Sequence, residues 1–419
     1  MDARPRRVVV IGAGAAGTMA AIHAASAGAD TTLVEATADG GRKILISGGG
    51  RCNVLPLELD ERRFVTDSSP NTLRRILRSW PLVEQRRFFE HEVGIPLSDE
   101  PALRKVFPAS HRARDVRDGL LALARQRGVT LRMACRVRDL APADGQWVVH
   151  VESGEPLRAD AVILATGGLS VPATGSDGFG LALAARLGHS IHPTYPALTP
   201  ITDTAGQFAA LAGVSFPASL HAQGDGRSAS ASGGFLFTHR GYSGPAALDV
   251  AHVLIRARAA GVPATLQIRW SALDAAAWEQ ALRGPGTRTM LALVRERVPD
   301  RLATLLLERA AVPGDRSVAE LRREERRRLL DVLTRDTLPW TGDEGYKKAE
   351  VTGGGIRLAD IDPRTMESRL TPGLYLCGEV LDAFGPIGGY NFFWAWATGR
   401  AAGIHAAHGR PASAAVSAD

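Results

Sequence analysis

The residues of this chain that can do chemistry gather first between positions 12 and 53. Gly12, Gly14 and Gly17 stand at GxGxxG spacing, and Glu35 follows 18 residues after Gly17. The stretch GRKILISGGGRCN, residues 41–53, then sets Arg42, Lys43 and Arg51 around Gly48, Gly49 and Gly50 and closes on Cys52 and Asn53. Bare backbone beside positive charge is the composition of a phosphate cradle. Glycines let main chain approach an oxyanion, and cationic side chains compensate charge that would otherwise be buried unpaired. A carboxylate placed as Glu35 is accepts hydrogen bonds from ribose hydroxyls and disfavours a 2′-phosphate. The glycine run alone reads equally well as a flexible linker. With the preceding motif it reads as one end of a dinucleotide site, in which Arg42 and Lys43 reach the pyrophosphate or ribose of FAD or NAD.

The elements that must position these residues are legible around them. Val8–Ile11 is a continuous β-branched run, as a strand buried on both faces requires, and it leads through the glycine turn into a helix and the second strand TTLVE. The basic start and apolar run also look like a secretory leader, but the glycine spacing and Glu35 assign the segment to the nucleotide turn. ADAVILATGG, residues 159–168, is a further buried strand ending in Ala165, Thr166 and Gly167. Near the C-terminus, PGLYLCGEVLDAFGPIGGYNFFWAWATGRAAG carries a strand Leu374–Cys377, then Gly378, Glu379 and Asp382. Gly388, Gly389, Tyr390 and Asn391 follow and open a helix. A helix N-terminus sets backbone N–H groups and a positive dipole against the pyrimidine edge of a flavin. NAD alone has no use for this third segment, so the expected cofactor is FAD.

Composition narrows the class. Hydrophobic residues make up 45% of the 419 and charged residues 22%, ordinary for a globular chain with two or three domains. The 45 glycines have no fixed period, which excludes collagen-like and repeat architectures. Cys52, Cys135 and Cys377 lie far apart with no CxxC pair, arguing against a disulfide framework or a metal site and for a reducing compartment. No other run approaches a membrane span, so the expected location is cytoplasmic with no membrane partner. Net charge is +6, and residues 61–140 hold 17 Lys plus Arg against 10 Asp plus Glu, a surplus that exceeds the whole-chain value. That concentration suits a polyanion, although arginine use can also reflect genome composition.

Taken together, these segments resemble a bacterial flavoprotein family known as aminoacetone oxidase-like or BaiN-type NAD(P)/FAD-dependent oxidoreductases, some of whose members reduce a uridine of ribosomal RNA. The resemblance is carried by GRKILISGGGRCN, VFPAS with Asp115 and Val116, FLFTHRGYSGPAALD, VTGGG, TMES, and GEVLD with GGYNFFWAW. It implies an α/β fold: a discontinuous glutathione reductase-type FAD-binding Rossmann domain, an inserted β-barrel-like domain and a small helical subdomain. The expected boundaries are 1–195 and 341–409 for the FAD domain, 196–272 for the β-domain and 273–340 for the helices, with 410–419 a disordered tail. Alternation in PATLQIRW supports a half-buried strand, and the spacing of Met290, Val294 and Val298 supports helix. Arg322, Arg323, Arg326, Arg327 and Arg328 form a cluster that reads first as a solvated helix face and second as a nucleic-acid contact. The resemblance places cofactor contacts on Gly12, Gly14, Gly17, Glu35, Arg42, Lys43, Val137, Thr166, Gly167, Gly378, Glu379, Gly389, Tyr390 and Asn391. After Asn53 the chain departs from the family pattern with VLPLELDERRF, which leaves the substrate open.

Two enzyme classes follow. In one, the flavin delivers hydride to C6 of a flipped uracil in large-subunit ribosomal RNA while an acid protonates C5. The electrons come from NAD(P)H docking transiently, since a second dinucleotide motif is lacking. In the other, a small amine such as aminoacetone is oxidised with release of peroxide. A third reading makes FAD the structural ligand of an interaction protein. Only RNA gives the basic segment a purpose. Among Cys52, Cys377, Lys347 and Tyr390, the expected proton donor is Cys52, exposed at the end of the glycine loop, with Lys347 as electrostatic helper.

Overall fold

The computed structural model describes residues 4–283 and 287–409, so the tail expected at 410–419 lies outside the described residues. The chain forms two compact units. The first comprises the described residues up to Thr194 and those from Val351 onward, and the second spans Tyr195–Glu350.

The first unit is built on five parallel strands: β1 (Arg7–Ile11), β2 (Asp30–Val34), β3 (Thr130–Arg132), β4 (Ala161–Leu164) and β5 (Leu374–Leu376), in the order β5-β4-β1-β2-β3. The register sets Val10 beside Ile163 and Leu33, and Leu164 beside Leu376. Val8, Val9, Val10 and Ile11 are buried, as are all four residues of β4, which is why both strands are unbroken apolar runs.

The helices labelled here are α1 (Ala15–Ser26), α2 (Pro70–Leu77), α3 (Ala113–Gln126) and α4 (Tyr390–His408). α1 and α4 pack backbone to backbone. A Cβ on Gly399 would overlap Ala16 O, and one on Gly403 would overlap Ala20 O. The two glycines, one turn apart, set the depth of this contact. An antiparallel meander, Val137–Ala143, Gln146–Val151 and Leu157–Ala159, lies between β3 and β4 in the chain. Its first turn uses Asp144 and Gly145, both with positive φ.

The second unit holds a seven-stranded antiparallel sheet with Asp336–Thr337 and Gly342–Asp343 at its edges. Helix Pro245–Ala259 packs on it, and Phe216, Phe235, Phe237, Tyr242 and Trp270 form its aromatic core. In strand Ala264–Arg269 the residues Leu266 and Ile268 are buried, as is Trp270 just beyond it. The chain leaves the second unit at Val351 rather than 341, because Gly342–Asp343 pairs with Ile201–Thr202 in that unit's sheet. The helices of 273–340 share this unit with the strands. Pro299 separates helix Met290–Arg295 from helix Asp300–Arg309. The arginine cluster is partly consumed inside the unit: Arg326 donates to Leu282 O (3.2 Å) and Arg328 to Ala310 O (2.9 Å), capping carbonyls at two helix ends. Among the described residues, no helix is long and apolar enough to cross a membrane.

Candidate active site

The site grows from the C-terminal ends of β1, β4 and β5, all in the first unit. Gly12 turns the chain off β1 with φ +103°, where a Cβ would meet Ala165 O at 2.6 Å. At Gly17 a Cβ would overlap Gly12 O. Gly14, by contrast, has nothing within 4 Å of a Cβ position, so its face is open. α1 starts there without a side-chain cap or an acidic residue in its first turn. Its first amides thus lack intrahelical acceptors and carry the positive end of the dipole. This is an anion cradle made of backbone.

Glu35, just past β2, is fastened to the same turn. Its Oε2 accepts from Ala13 N (2.8 Å), while Oε1 accepts from Thr37 N (2.8 Å) and Thr37 Oγ1 (2.7 Å). A carboxylate offers about four acceptor positions, so capacity remains on Oε2 for a ribose hydroxyl.

Helix Arg42–Ile46 and the turn Ser47–Gly50 follow, the latter with left-handed Gly48 and Gly49. Arg42 is half-exposed and paired with Asp39 (2.6 Å). Lys43, expected at the pyrophosphate or ribose, has its Nζ 2.6 Å from Glu379 Oε2 and also donates to Ser170. The structure thus brings together two site residues from opposite ends of the chain, along with two that the sequence did not single out. Glu379 also accepts from Ser170 Oγ, Thr352 N (3.0 Å) and Thr352 Oγ1 (2.9 Å). Thr352 Oγ1 in turn accepts from Leu169 N (2.7 Å) and Ser170 N (3.1 Å). Gly168 makes room for this knot, since a Cβ there would overlap Thr352. The only hints in the sequence were the VTGGG motif and the serine following ATGG.

At the far end, Gly378 has φ +79° and brings its loop onto the first turn of α1, where a Cβ would meet Ala16 Cβ at 2.7 Å. Gly389 is left-handed and caps α4, and a Cβ there would overlap the Leu55 carbonyl carbon. α4 also starts without a side-chain cap or an acid. Tyr390 is buried, and its hydroxyl donates to Glu58 O (3.2 Å). Asn391 clamps Gly385, donating to its O and accepting from its N, both at 2.9 Å. These two side chains fasten neighbouring loops to the helix start. Val137 is buried at the head of the meander, and Gly167 follows Thr166 with φ +72°.

The expected exposure of Cys52 is corrected. The residue has no exposed surface, sits at φ +61° with its side chain in the core, and burial pushes its thiol up to about 12. A thiol enclosed by protein atoms touches no substrate. Cys377 is equally enclosed, and burial raises its pKa as well. Lys347 belongs to the second unit, where it is exposed.

The fit of a flavin dinucleotide can be judged on polar groups the chain leaves open: the face at Gly14, the uncapped amides of the α1 start and the spare acceptor capacity of Glu35 Oε2. This donor and acceptor set fits the phosphates and ribose of FAD.

Comparison with known proteins agrees with this geometry. Residues 6–405 match the family described as HI0933-like protein Rossmann domain. The chain is 31% identical over 395 residues to the ribosomal RNA dihydrouridine synthase of Escherichia coli, covering 93% of this chain and 95% of that protein. It is also 31% identical over 409 residues to the 3-dehydro-bile acid delta(4,6)-reductase of Clostridium scindens, covering 96% and 99%. Among solved structures, the 3-ketosteroid delta1-dehydrogenase of Sterolibacterium denitrificans superposes with a TM-score of 0.52 at 14% identity, over 96% of this chain and 99% of that one, a likeness of fold.

Proposed function

The chain belongs to the HI0933-like Rossmann family and is an FAD-dependent oxidoreductase, and from that premise we propose that it reduces a uridine of large-subunit ribosomal RNA to dihydrouridine, with NAD(P)H as electron source. In this reading the pyrophosphate lies on the α1 start at Gly12, Gly14 and Gly17, Glu35 holds the adenosine ribose, and Arg42 lines the rim. Val137, Thr166 and Gly167 serve the same cofactor from the meander and β4. Lys43 acts through Glu379, which with Gly378 holds the flavin end, and the α4 start at Gly389, Tyr390 and Asn391 supplies backbone donors. When bound and reduced by NAD(P)H, FAD would supply the hydride for C6 of uracil, and a proton from solvent at C5 would complete the two-electron reduction.

That chemistry unites both curated relatives, since uracil C5=C6 and the double bonds of a 3-oxo-4,6-diene are conjugated to a carbonyl. Enzymes reducing either must hold the carbonyl oxygen as negative charge develops on it. Cys52 is enclosed and is not the proton donor, and we keep Lys347, an exposed ammonium of the second unit, as the electrostatic helper. The observation that carries RNA over a steroid is the basic surplus of residues 61–140, whose Arg74, Arg75 and Arg78 all stand exposed. A bile acid offers a single carboxylate, which one guanidinium satisfies, and aminoacetone offers no negative charge, so neither accounts for a surplus of seven.

The reading is tested in cells by mapping dihydrouridine in ribosomal RNA from wild-type and deletion strains. One reduced uridine should disappear on deletion and return on complementation. Identical maps, with peroxide release from aminoacetone by the pure protein, would replace this reading with the amine oxidase.

A further inference from the structure

Resting on the RNA reading above, we propose that the outer face of α2 is the docking cleft for the phosphate backbone of an unpaired RNA strand. Arg74, Arg75 and Arg78 of this face, together with Arg364, line one depression of about 650 Å³. α2 is anchored by Leu73, Ile76 and Leu77, which are buried, so its arginines have nowhere to point but outward.

The charge balance is incomplete within the chain. Arg78 is bound by Glu61 through two parallel contacts at 2.8 Å, and Arg364 by Asp362 at 3.2 Å. Arg74 meets only the amide of Asn71 (3.3 Å), and Arg75 makes no side-chain hydrogen bond or ion pair among the described residues. Two guanidinium charges are therefore left for a ligand, and the planar fork of each matches two oxygens of a phosphate.

The lining also argues against a protein partner. Besides the arginines it offers the amide of Asn71 and the hydroxyl of Ser79, with Pro363 its one apolar residue. An arginine anchors a protein partner when it is desolvated among packed neighbours, and apart from Pro363 this lining sets no apolar side chain beside its arginines.

α2 is tied to the flavin end of the site by a second observation. Asp382, buried and four residues beyond Gly378, accepts from Asp67 N (3.0 Å), Ser68 N (2.9 Å), Ser68 Oγ (2.8 Å) and Thr66 Oγ1 (2.9 Å). Val65 and Phe384 add a backbone bridge beside it. The segment 65–68 leads directly into α2, so the arginine face and the Gly378–Asp382 loop form one body. A strand held at the cleft is then held in a fixed relation to that loop.

The test is a salt titration of affinity for a fluorescent oligouridylate, using the flavin-loaded protein and the triple variant Arg74→Glu, Arg75→Glu, Arg364→Glu. A charge-reversed control carries Arg323→Glu and Arg327→Glu, exposed residues of the second unit. The triple variant should bind at least about tenfold more weakly, with the slope of log affinity against log salt reduced by about 0.7 for each of the two charges left free, so by about 1.4. Its flavin absorbance and melting temperature should match the wild type, and the control should bind as the wild type does. If the wild type binds and reduces RNA while the triple variant keeps its affinity and slope, the cleft proposal fails and the RNA reading stands. If the wild type shows neither binding nor reduction, both fall together.

Discussion

At the scale of single residues, the ion pair of Lys43 with Glu379 is the feature on which the flavin end turns. Hydrogen bonds to charged groups are worth about 1.5 to 3 kcal/mol, so Lys43→Met, which leaves Glu379 with hydroxyl and amide donors alone, should weaken FAD retention about tenfold or more. Equilibrium dialysis of FAD against the apoprotein reads this directly. Cys52 predicts the opposite pattern: Cys52→Ala should leave turnover unchanged and lower stability by about 1 kcal/mol, the effect of emptying a small buried volume. A loss of turnover at intact flavin content would contradict that assignment. His23 contributes to acid stability. It lies against Trp80 (5.5 Å) and Phe88 (5.3 Å), and burial first, then the charges of Arg400 and Arg127, lower its pKa from 6.5 to about 3. A base whose folded pKa lies below its unfolded one takes its proton first in the unfolded chain. Its contribution is therefore complete above pH 6.5 and declines as pH falls toward 3, by up to about 1.4 kcal/mol per pH unit. His23→Leu should flatten the melting temperature between pH 6.5 and 4, whereas parallel curves for the two proteins would contradict this role.

At the scale of elements, α1 and α4 form the contact that holds the nucleotide cradle and the flavin-end helix together. The atoms facing Gly399 and Gly403 are backbone oxygens of α1, which cannot rotate away as a side chain would. Gly403→Val should cost about 1 to 3 kcal/mol by overpacking, seen as a melting temperature several degrees lower, and should loosen FAD as α1 shifts. An unchanged melting temperature would show that the helices separate freely. The elements of this cradle were legible in the sequence because each carries a local signal: an unbroken apolar strand, glycines at fixed spacing, a glycine pair opening a helix. The polar knot of Glu379 was not, because Ser170 and Thr352 reach it from segments far apart in the chain and neither contact leaves a periodic trace. Cys52 misled for a related reason. A left-handed residue after a glycine run reads as a loop tip, yet the same turn of the backbone sends its side chain inward. The arginines of 322–328 read as a solvated face, while two of them cap helix ends that no sequence pattern brings near.

At the scale of the whole molecule, a flavin cradle and a basic face share one unit, and under the proposed function both serve one substrate, an unpaired stretch of ribosomal RNA. Counterion release makes such an encounter strongly dependent on salt, so turnover with RNA should fall steeply between low and physiological ionic strength while flavin reduction by NAD(P)H changes far less. The most direct measurement is a single-turnover experiment without oxygen. The flavin-loaded protein is reduced, mixed with ribosomal RNA purified from the deletion strain, and followed by flavin absorbance and by mass spectrometry of the RNA. The account predicts reoxidation of the flavin with one dihydrouridine formed per flavin oxidised. A flavin that stays reduced with RNA yet is reoxidised at once by a 3-oxo-4,6-diene steroid, or by oxygen alone, would contradict it.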